Sequence, residues 1–319
     1  MKKLLLLIAA LLPGSLAHSQ GADDLGSKYA EVSFVARAEY SSVEDGHHLG
    51  NSSFYALLNG AFSSRLSYKV QTHLLGSDPE SLYAGTLRSD GGNWLDYAWL
   101  NYDFGALDIT LGKNNLLVGT FEYDQDDFDL YYELASMMWD VLPAYQWGVT
   151  LNFNPDDSFF LAAQIASSPF MERPFSGGRF SGSLIYGTTW RENFSDVYSF
   201  NMLQYEDGSM LKLFSAGFNF TLGNWDLYLN GTIDFFSDCL PNSKHLYAQY
   251  NFSDRLSLGL KAGLDNMDEE FVWCYNRWYG GLLLNWFPSE PFRVHMAGGY
   301  DTLLEEPFLN FGLTWKISL

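Results

Sequence analysis

Strict alternation of apolar and polar residues is the feature that most constrains what this chain can fold into. In WDLYLNGTIDFF (225–236) and LSLGLKAGLD (256–265), every second residue is apolar or small, and most of the residues between them are polar. LSYKVQTHLL (66–75) and the last segment, FLNFGLTWKISL (308–319), repeat this pattern. Because successive side chains of a β-strand point to opposite faces, each segment is predicted to form a strand with one apolar and one polar face.

Strands of this kind occur in soluble sandwiches, with the apolar face inward, and in membrane barrels, with the apolar face towards lipid. The alternating segments are as long as a tilted transmembrane strand of about 9–11 residues, whereas an average strand has about 5–6 residues. Their polar face often carries charges, which a water-filled lumen tolerates and a packed core does not. The sequence therefore predicts an all-β fold, a transmembrane antiparallel up-and-down β-barrel of about 16 strands, with 14 or 18 strands left open.

Short connections alternate with longer ones around the chain, which is typical of outer-membrane barrels with short periplasmic turns and long outer loops. Aromatic residues concentrate near the predicted strand ends, as in the girdles at the two membrane interfaces. The predicted strands begin near residues 30, 52, 66, 94, 107, 146, 158, 179, 197, 210, 225, 244, 256, 272, 292 and 308. The short connections are predicted at 63–65, 103–106, 154–157, 191–196, 223–224, 253–255 and 288–291, and the longer ones include 41–50, 76–93, 114–145, 167–178, 237–243 and 265–270.

The N-terminus has the build of a secretory signal peptide. A charged MKK start precedes the apolar run LLLLIAALL (4–12), and AHS (17–19) has the small residues of a cleavage site. This apolar run is far shorter than the roughly 20 residues that a membrane-spanning helix needs. We therefore expect removal of residues 1–19, a short N-terminal segment at 20–29, and a single barrel domain at 30–319 in the outer membrane of a Gram-negative bacterium.

The net charge argues against two classes of partner. The chain carries 18 basic and 38 acidic residues, and loss of the two lysines of the signal peptide leaves a net charge of about −22. Nucleic acid and anionic lipid are therefore not expected as partners. Cys239 and Cys274, the two cysteines of the chain, fall in neighbouring predicted loop regions, so that a disulfide between them and two unpaired thiols both stay open.

The segment WLDYAWLNYDFGALDITLGKNNLLVG (94–119) resembles a hairpin of the phosphate-selective porin O and P family. That hairpin has a D-Y-x-F strand, a tight turn and an L-x-L-G-[RK] strand that leads into a long loop, and YQWGVTLNF (145–153) is similar to the strand that follows. The general layout is also similar to that of porin-like proteins of Bacteroidetes. The resemblance implies a sixteen-stranded pore, commonly trimeric, in which long loops partly close the channel.

Phosphate-selective members of that family line the lumen with rows of Arg and Lys, whereas the polar faces here carry a mixed and acid-leaning charge. In addition, LVG (117–119) stands where the family has Pro-Phe-Gly at the start of the long loop. Phosphate selectivity is therefore not expected to carry over. The candidate lumen-lining residues are Arg37, Lys69, Asp96, Asp226, Asp234, Lys261, Arg277 and Arg293.

The longest predicted connection, 114–145, contains FEYDQDDFDLYYELASMMWD (121–140), in which acids and aromatics are interleaved. By strand count it is the third outer loop, the one that folds into the barrel in porins, and loops of this length are usually functional or disordered. Its acids would set a negative constriction that favours cations. The candidate constriction residues are Glu122, Asp124, Asp126, Asp127, Asp129 and Glu133.

Other chemistry has weaker support in the sequence. The carboxylates of DQDDFD (124–129) suit calcium, but the glycine and terminal glutamate of an EF-hand are missing, so a bound divalent ion stays open beside a solvated acidic loop. His73, His245 and His295 are expected to face the lumen singly, without a nucleophile motif. No phosphate loop, zinc spacing or dinucleotide motif occurs, and we assign no cofactor, no metal and no catalytic residue.

The favoured function is that of an outer-membrane porin for passive diffusion of small hydrophilic solutes or ions, with outer-membrane lipid around it and a homotrimer implied by the resemblance. One rival is an outer-membrane enzyme such as a lipase, which would bring Ser and His together near one barrel rim. The other is a structural or adhesive barrel with a plugged lumen. Sixteen strands enclose a lumen that is too wide for side chains alone to fill, which favours the pore.

Overall fold

A computed structural model describes most of the predicted barrel domain. The N-terminal 29 residues lie outside the described residues, and so do Cys239 and Cys274. The signal peptide therefore stays a prediction from the sequence, and the pairing of the two cysteines stays open. The described residues are 30–43, 46–48, 52–75, 95–123, 125–129, 131, 134–142, 144–156, 158–171, 173–190, 193–234, 242–266, 276–302 and 305–319.

Within these residues, sixteen strands of 9–14 residues and one short strand form a single sheet, as the alternation predicts. One short helix, α1 (Met137–Val141), lies in the connection after β6. The strands are β1 (Ala30–Val43), β2 (Gly46–His48), β3 (Ser53–Ser63), β4 (Leu66–Leu75), β5 (Leu95–Asp103), β6 (Leu107–Asn115), β7 (Tyr145–Asp156), β8 (Phe159–Ser167), β9 (Phe180–Trp190), β10 (Phe194–Gln204), β11 (Met210–Leu222), β12 (Trp225–Asp234), β13 (Asn242–Ser253), β14 (Leu256–Asn266), β15 (Asn276–Ser289), β16 (Phe292–Asp301) and β17 (Glu306–Ser318).

The sheet closes on itself. Each long strand pairs antiparallel with the long strands before and after it in the chain, and β1 pairs with β17 from Ser33 opposite Ser318 to Ser42 opposite Leu309. The three-residue β2 folds back on the end of β1 and adds no wall strand of its own. The prediction of a sixteen-stranded up-and-down barrel is thus confirmed, and 14 and 18 strands are excluded. Closure leaves no unpaired edge, which a sheet surrounded by lipid requires.

The predicted strand boundaries differ from the observed ones at both ends of the barrel. The strand expected near residue 272 begins at Asn276, and the one expected near 197 begins at Phe194. The first outer connection, predicted at 41–50, is shorter, because β1 continues to Val43 and then pairs with β2. Pairing between strands satisfies the backbone N–H and C=O groups whatever the side chains are. Strands therefore continue beyond the residues in which apolar and polar side chains alternate.

The outer wall of the barrel is apolar. Large hydrophobic side chains are exposed at every second position of most strands, which is the pattern of a lipid-facing wall. Exposed aromatic side chains form a girdle next to the short turns, as the sequence predicts for a membrane interface. No helix among the described residues is long and apolar enough to cross a membrane. The girdle residues are Phe62, Tyr102, Phe104, Phe153, Trp190, Trp225, Phe252, Trp286 and Trp315.

Candidate functional site

The connection between β6 and β7, residues 116–144, is called the inner loop below, and its described residues lie inside the barrel. Its backbone N–H groups donate hydrogen bonds to wall side chains on strands that are far apart around the sheet. Leu117 donates to Gln164 of β8, and Phe121 donates to Asn230 of β12 at 2.8 Å. Met137 donates to Asp265 of β14 at 3.0 Å. A single segment reaches so many sides of a closed barrel only from within.

Gly119 fixes the start of the inner loop on β10. Its N–H donates to Ser199 Oγ at 2.7 Å, and the side-chain amide of Asn201 donates to the carbonyl of Leu117. A Cβ at position 119 would lie 2.5 Å from the backbone nitrogen of Ser199, which is closer than non-bonded atoms approach. Glycine is therefore required here for close backbone contact, while the proline and phenylalanine of the family pattern are not.

Apolar side chains anchor the loop at four places on the wall, and at one of them Leu117 and Phe121 pack against β8, β9 and β10. Phe128 packs on β1 and β3 and makes an edge contact with Tyr55. Leu134 packs on β15 and β16, where Gly281 leaves room for it. The largest cluster joins residues of the loop to β5, β7, β10 and β11, with Trp139 only 2% exposed. The loop residues of this cluster are Leu116, Val118, Tyr123, Ala135, Met138, Trp139, Leu142 and Ala144.

Glu122 is buried and holds the middle of the inner loop to β13 and β14. Lys261 Nζ lies 2.5 Å from its carboxylate, and His245 Nδ1 lies 3.6 Å away. The backbone N–H of Ser136 also donates to the carboxylate, at 3.0 Å. Burial alone would raise the pKa of Glu122, but His245, Lys261 and these hydrogen bonds outweigh it and lower the pKa to about 2. Glu122 is thus a paired anion and not a free charge of the pore.

Asp129 has a basic partner as well. Arg293 of β16 forms an ion pair with its carboxylate and donates a second hydrogen bond, of 2.7 Å, to the carbonyl of Phe128. Asp129 is 49% exposed, so its charge is only partly removed from solvent. Next to it, the hydroxyl of Tyr131 donates to Asn285 of β15. Burial, as the largest influence, raises the pKa of the Tyr131 phenol, and this keeps its hydroxyl protonated as a donor.

Arg277 of β15 connects the loop to two buried acids. It lies 2.7 Å from Asp301 and 3.3 Å from Asp265, and its Nη1 donates to the carbonyl of Ala135 at 2.9 Å. Asp265 in turn accepts from the N–H of Met137. The guanidinium has enough donors to serve both carboxylates and the loop at once, which a lysine could not do with the same planar geometry.

The sequence predicts that the histidines of the wall face the lumen singly. In the structure, each histidine of the described wall lies against a carboxylate instead. His245 faces Glu122, and His295 Nε2 lies 2.8 Å from Glu39, which also pairs with Arg37. His73 pairs with Asp96, the extra residue of a β-bulge between β4 and β5. Over the described residues, no group of His, Cys, Asp and Glu side chains has an arrangement that would hold a metal ion.

The remaining predicted residues are placed as follows. Lys69 Nζ lies 3.8 Å from the ring centre of Tyr97, and Asp96 accepts a long hydrogen bond from Gln71. Asp226 accepts from Thr221 and Asn251, near the rim with the short turns. Asp234 is buried, and Asp126 is half-buried in the inner loop. The predicted constriction residues whose side chains lie outside the described residues are Asp124, Asp127 and Glu133.

Sequence reasoning did not single out the polar wall residues that bind the backbone of the inner loop. Ser199, Asn201 and Asn230 are each 7% exposed or less and are ordinary strand residues in the sequence. The alternation places them on the same face as the charged candidates, and this is the one signal that could have found them.

Sequence comparisons leave the family open, since no family model and no curated protein matches the chain. Solved structures match its fold. Salmonella typhi OmpF superimposes with a TM-score of 0.69 at 9% identity, over 90% of this chain and 97% of that one. The fold is that of a porin. The outer-membrane channel DcaP of Acinetobacter baumannii matches with a TM-score of 0.65 at 9% identity, over the same shares of the two chains. The trimer form of Vibrio cholerae OmpT matches with 0.58 at 12% identity, over 91% and 99%.

At such low identities these likenesses show the fold alone. The sixteen-stranded porin-like barrel, with its apolar outer wall and aromatic girdle, fits the outer membrane of a Gram-negative bacterium. These likenesses do not show that the chain belongs to the phosphate-selective porin O and P family.

Proposed function

We propose that this protein is an outer-membrane porin through which small hydrophilic solutes and ions diffuse passively. The observation that carries the proposal is the inner loop, which lies inside the barrel and is hydrogen-bonded to β1, β8, β10, β12, β14 and β16. A lumen enclosed by sixteen strands is too wide for wall side chains alone to fill, so a folded loop sets the width of the passage.

Exposure differs along the inner wall in a way that supports a passage. Inner-face residues next to the loop, such as Arg37 and Asp265, are 3% exposed or less. Those towards the short turns, such as Lys69, Asp226 and Asn251, are half-buried. The turn-side end of the lumen is therefore lined by solvated polar groups, as a hydrophilic solute needs.

For ion preference we propose a weak selectivity for cations. Of the six candidate constriction acids, Glu122 and Asp129 face Lys261 and Arg293, which reduces their net field. Two carboxylates nearer the short turns have neutral donors instead. Asp108 accepts from Asn101 and Asn152, both at 2.6 Å, and Asp226 accepts from Thr221 and Asn251 at 2.9 and 2.8 Å. Together with the excess of acids over bases in the whole chain, these charges favour cations.

The resemblance to the phosphate-selective porin O and P family is proposed only as a shared layout of strands and inner loop. We also propose that the protein assembles as a homotrimer. The form of Vibrio cholerae OmpT whose fold this chain shares is described as a trimer, and the resemblance points the same way.

A catalytic role is not part of the proposal. A lipase-like site would need a serine hydroxyl at a histidine ring. Among the described residues, His73 and His245 have no hydrogen-bonded hydroxyl, and the hydrogen bond of His295 goes to Glu39.

Planar-bilayer recording with a salt gradient tests the proposal. The purified protein should give discrete conductance steps and a reversal potential of the sign expected for cation preference. A parallel liposome-swelling assay should show uptake of small neutral solutes. Failure to conduct and failure to swell would indicate a plugged structural or adhesive barrel instead. A reversal potential of the opposite sign would overturn the cation preference and leave the pore intact.

A further inference from the structure

Two tyrosines form a flat aromatic surface on the turn-side wall of the lumen. Tyr228 of β12 and Tyr247 of β13 are direct cross-strand partners on the inner face, with ring centres 5.8 Å apart and ring planes only 23° apart. Both side chains are half-buried. The inner face is established by Asn230, two residues after Tyr228, because it binds the inner loop.

The ring of Tyr247 lies across the neighbouring strand and does not project into the lumen. A Cβ at Gly259 of β14 would lie only 2.6 Å from Cε2 of this ring, so the ring covers the glycine. One face of the ring is thereby packed on the wall, and the side chain as a whole stays half-buried. The near-parallel ring of Tyr228 extends the same surface by one strand.

A row of hydrogen-bonding groups borders these rings on the side of the short turns. The Tyr247 hydroxyl donates to Gln249 at 2.6 Å, and Gln249 donates to Asn251 at 2.8 Å. Asn251 and Thr221 donate to the carboxylate of Asp226. Each amide and the carboxylate keep further hydrogen-bonding capacity beyond these contacts, and all of the side chains are half-buried.

The aromatic surface lies directly below the inner loop. Phe121 of the loop contacts Tyr228 edge-on with ring centres 5.8 Å apart, and Tyr131 packs in the same cluster as Tyr247. A solute that passes the loop therefore meets the two rings next.

We propose that Tyr228, Tyr247, Asp226, Gln249 and Asn251 form a binding subsite for a neutral saccharide, an inference that rests on the proposed porin function. A pyranose ring has an apolar C–H face that stacks on an aromatic ring, and its edge carries hydroxyl groups that pair with carboxylates and amides. The carboxylate of Asp226 disfavours anionic solutes. A small inorganic cation would gain little from two flat rings bordered by amides.

The experiment measures block of the KCl current by maltotriose added to the turn-side face of the channel in a planar bilayer, with sorbitol as a non-cyclic polyol for comparison. Maltotriose should block saturably and sorbitol should not. In Tyr228→Ala the half-blocking concentration should rise by roughly 3- to 10-fold, as expected for loss of one aromatic contact. Tyr228→Phe, which keeps the ring, should stay within about twofold of wild type.

Tyr300→Ala is the matched control, because Tyr300 is 48% exposed on the outer wall and the same atoms are removed there. It should leave the block unchanged. A conducting channel that maltotriose and sorbitol block equally, or whose block is unaffected by Tyr228→Ala, would overturn the saccharide inference and leave the porin proposal standing. If the protein does not conduct at all, the porin proposal fails. Calorimetry of maltotriose with the detergent-solubilised protein then decides the subsite: binding weakened by Tyr228→Ala supports it, and absence of binding overturns it.

Discussion

The two halves of the lumen use acidic residues differently. At the level of the inner loop, Glu39, Glu122 and Asp265 each have a basic partner on the wall. Near the short turns, Asp108 and Asp226 accept hydrogen bonds from amides and a hydroxyl only. The acids of the lumen are therefore divided between charges with a basic partner at the loop and charges with neutral hydrogen-bond donors near the short turns.

Burial explains the difference. Glu39 and Asp265 are 1% exposed or less, and an ion that is buried so deeply is tolerated only with a partner and further hydrogen bonds. Asp108 and Asp226 are half-buried and remain partly hydrated, so neutral donors are sufficient. An acid is paired with a base where the inner loop buries it, and it is half-buried with neutral donors near the short turns.

Arg277→Ala should have the largest effect on the loop side. The change leaves Asp265 and Asp301 buried without their common partner and removes a donor to Ala135. Loss of one member of a buried ion pair costs about 3–5 kcal/mol. We expect a lower unfolding temperature in detergent and a larger, noisier conductance as the loop detaches. Arg277→Lys keeps the charge without the planar guanidinium, and its unfolding temperature should lie between those of the wild type and Arg277→Ala. An unfolding temperature of Arg277→Ala equal to that of the wild type would contradict the role given to Arg277.

The pH dependence of loop attachment should follow Glu122. Its pKa is lowered from 4.5 to about 2 in the folded protein, so its contribution to stability is fully present above pH 4.5 and is lost as the pH falls through about 2. The difference in single-channel conductance between the wild type and Glu122→Gln should thus stay constant from pH 7 to about pH 4 and shrink only in stronger acid. Glu122→Gln, which leaves Lys261 without its anion, should show the changed conductance already at pH 7. A transition of the wild type near pH 5 that is absent from Glu122→Gln would show that Glu122 titrates normally.

The barrel could be predicted from the sequence because its cause is local. A strand with lipid on one side and a polar lumen on the other must alternate, and WDLYLNGTIDFF (225–236) shows this without reference to any other segment. The position of the loop at 114–145 followed from counting strands. Both results need only the order of residues along the chain.

The pairing of the loop acids could not be predicted in the same way. Glu122 meets Lys261 across 139 residues of sequence, and Asp129 meets Arg293 across 164. No short segment of the sequence contains both partners of a pair. Lys261 or Arg293 could equally have paired with an acid of a neighbouring wall strand. The sequence therefore predicts a charge filter of six acids, whereas the structure gives at least two of them basic partners. As a determinant of selectivity, this filter stays a prediction.

Gly119→Ala should have a moderate effect, confined to the start of the inner loop. The added methyl group would lie 2.5 Å from the backbone of Ser199, so the loop must move away from β10 and lose the hydrogen bond from its N–H. Such overpacking costs about 1–3 kcal/mol. We expect faster cleavage within 116–144 by an added protease in detergent. Gly182→Ala is the control, since a Cβ at this position on β9 meets no atom within 4 Å; equal cleavage of both variants would contradict the close contact at Gly119.

The smallest effect is expected near the short turns, where the carboxylates contribute to the electrostatic potential of the lumen and little to the stability of the fold. Asp108→Asn combined with Asp226→Asn keeps the size of the side chains and removes two charges that have no basic partner among their hydrogen bonds. The reversal potential in a salt gradient should move towards zero, and the melting temperature should stay close to that of wild type. Asp207→Asn, in the connection between β10 and β11 on the loop side, removes an exposed carboxylate of the opposite rim and should leave the reversal potential nearly unchanged. If the double variant melts early and keeps its selectivity, the division between structural and solute-facing acids is wrong. The charges of the inner loop, and not those near the turns, then set the preference for cations.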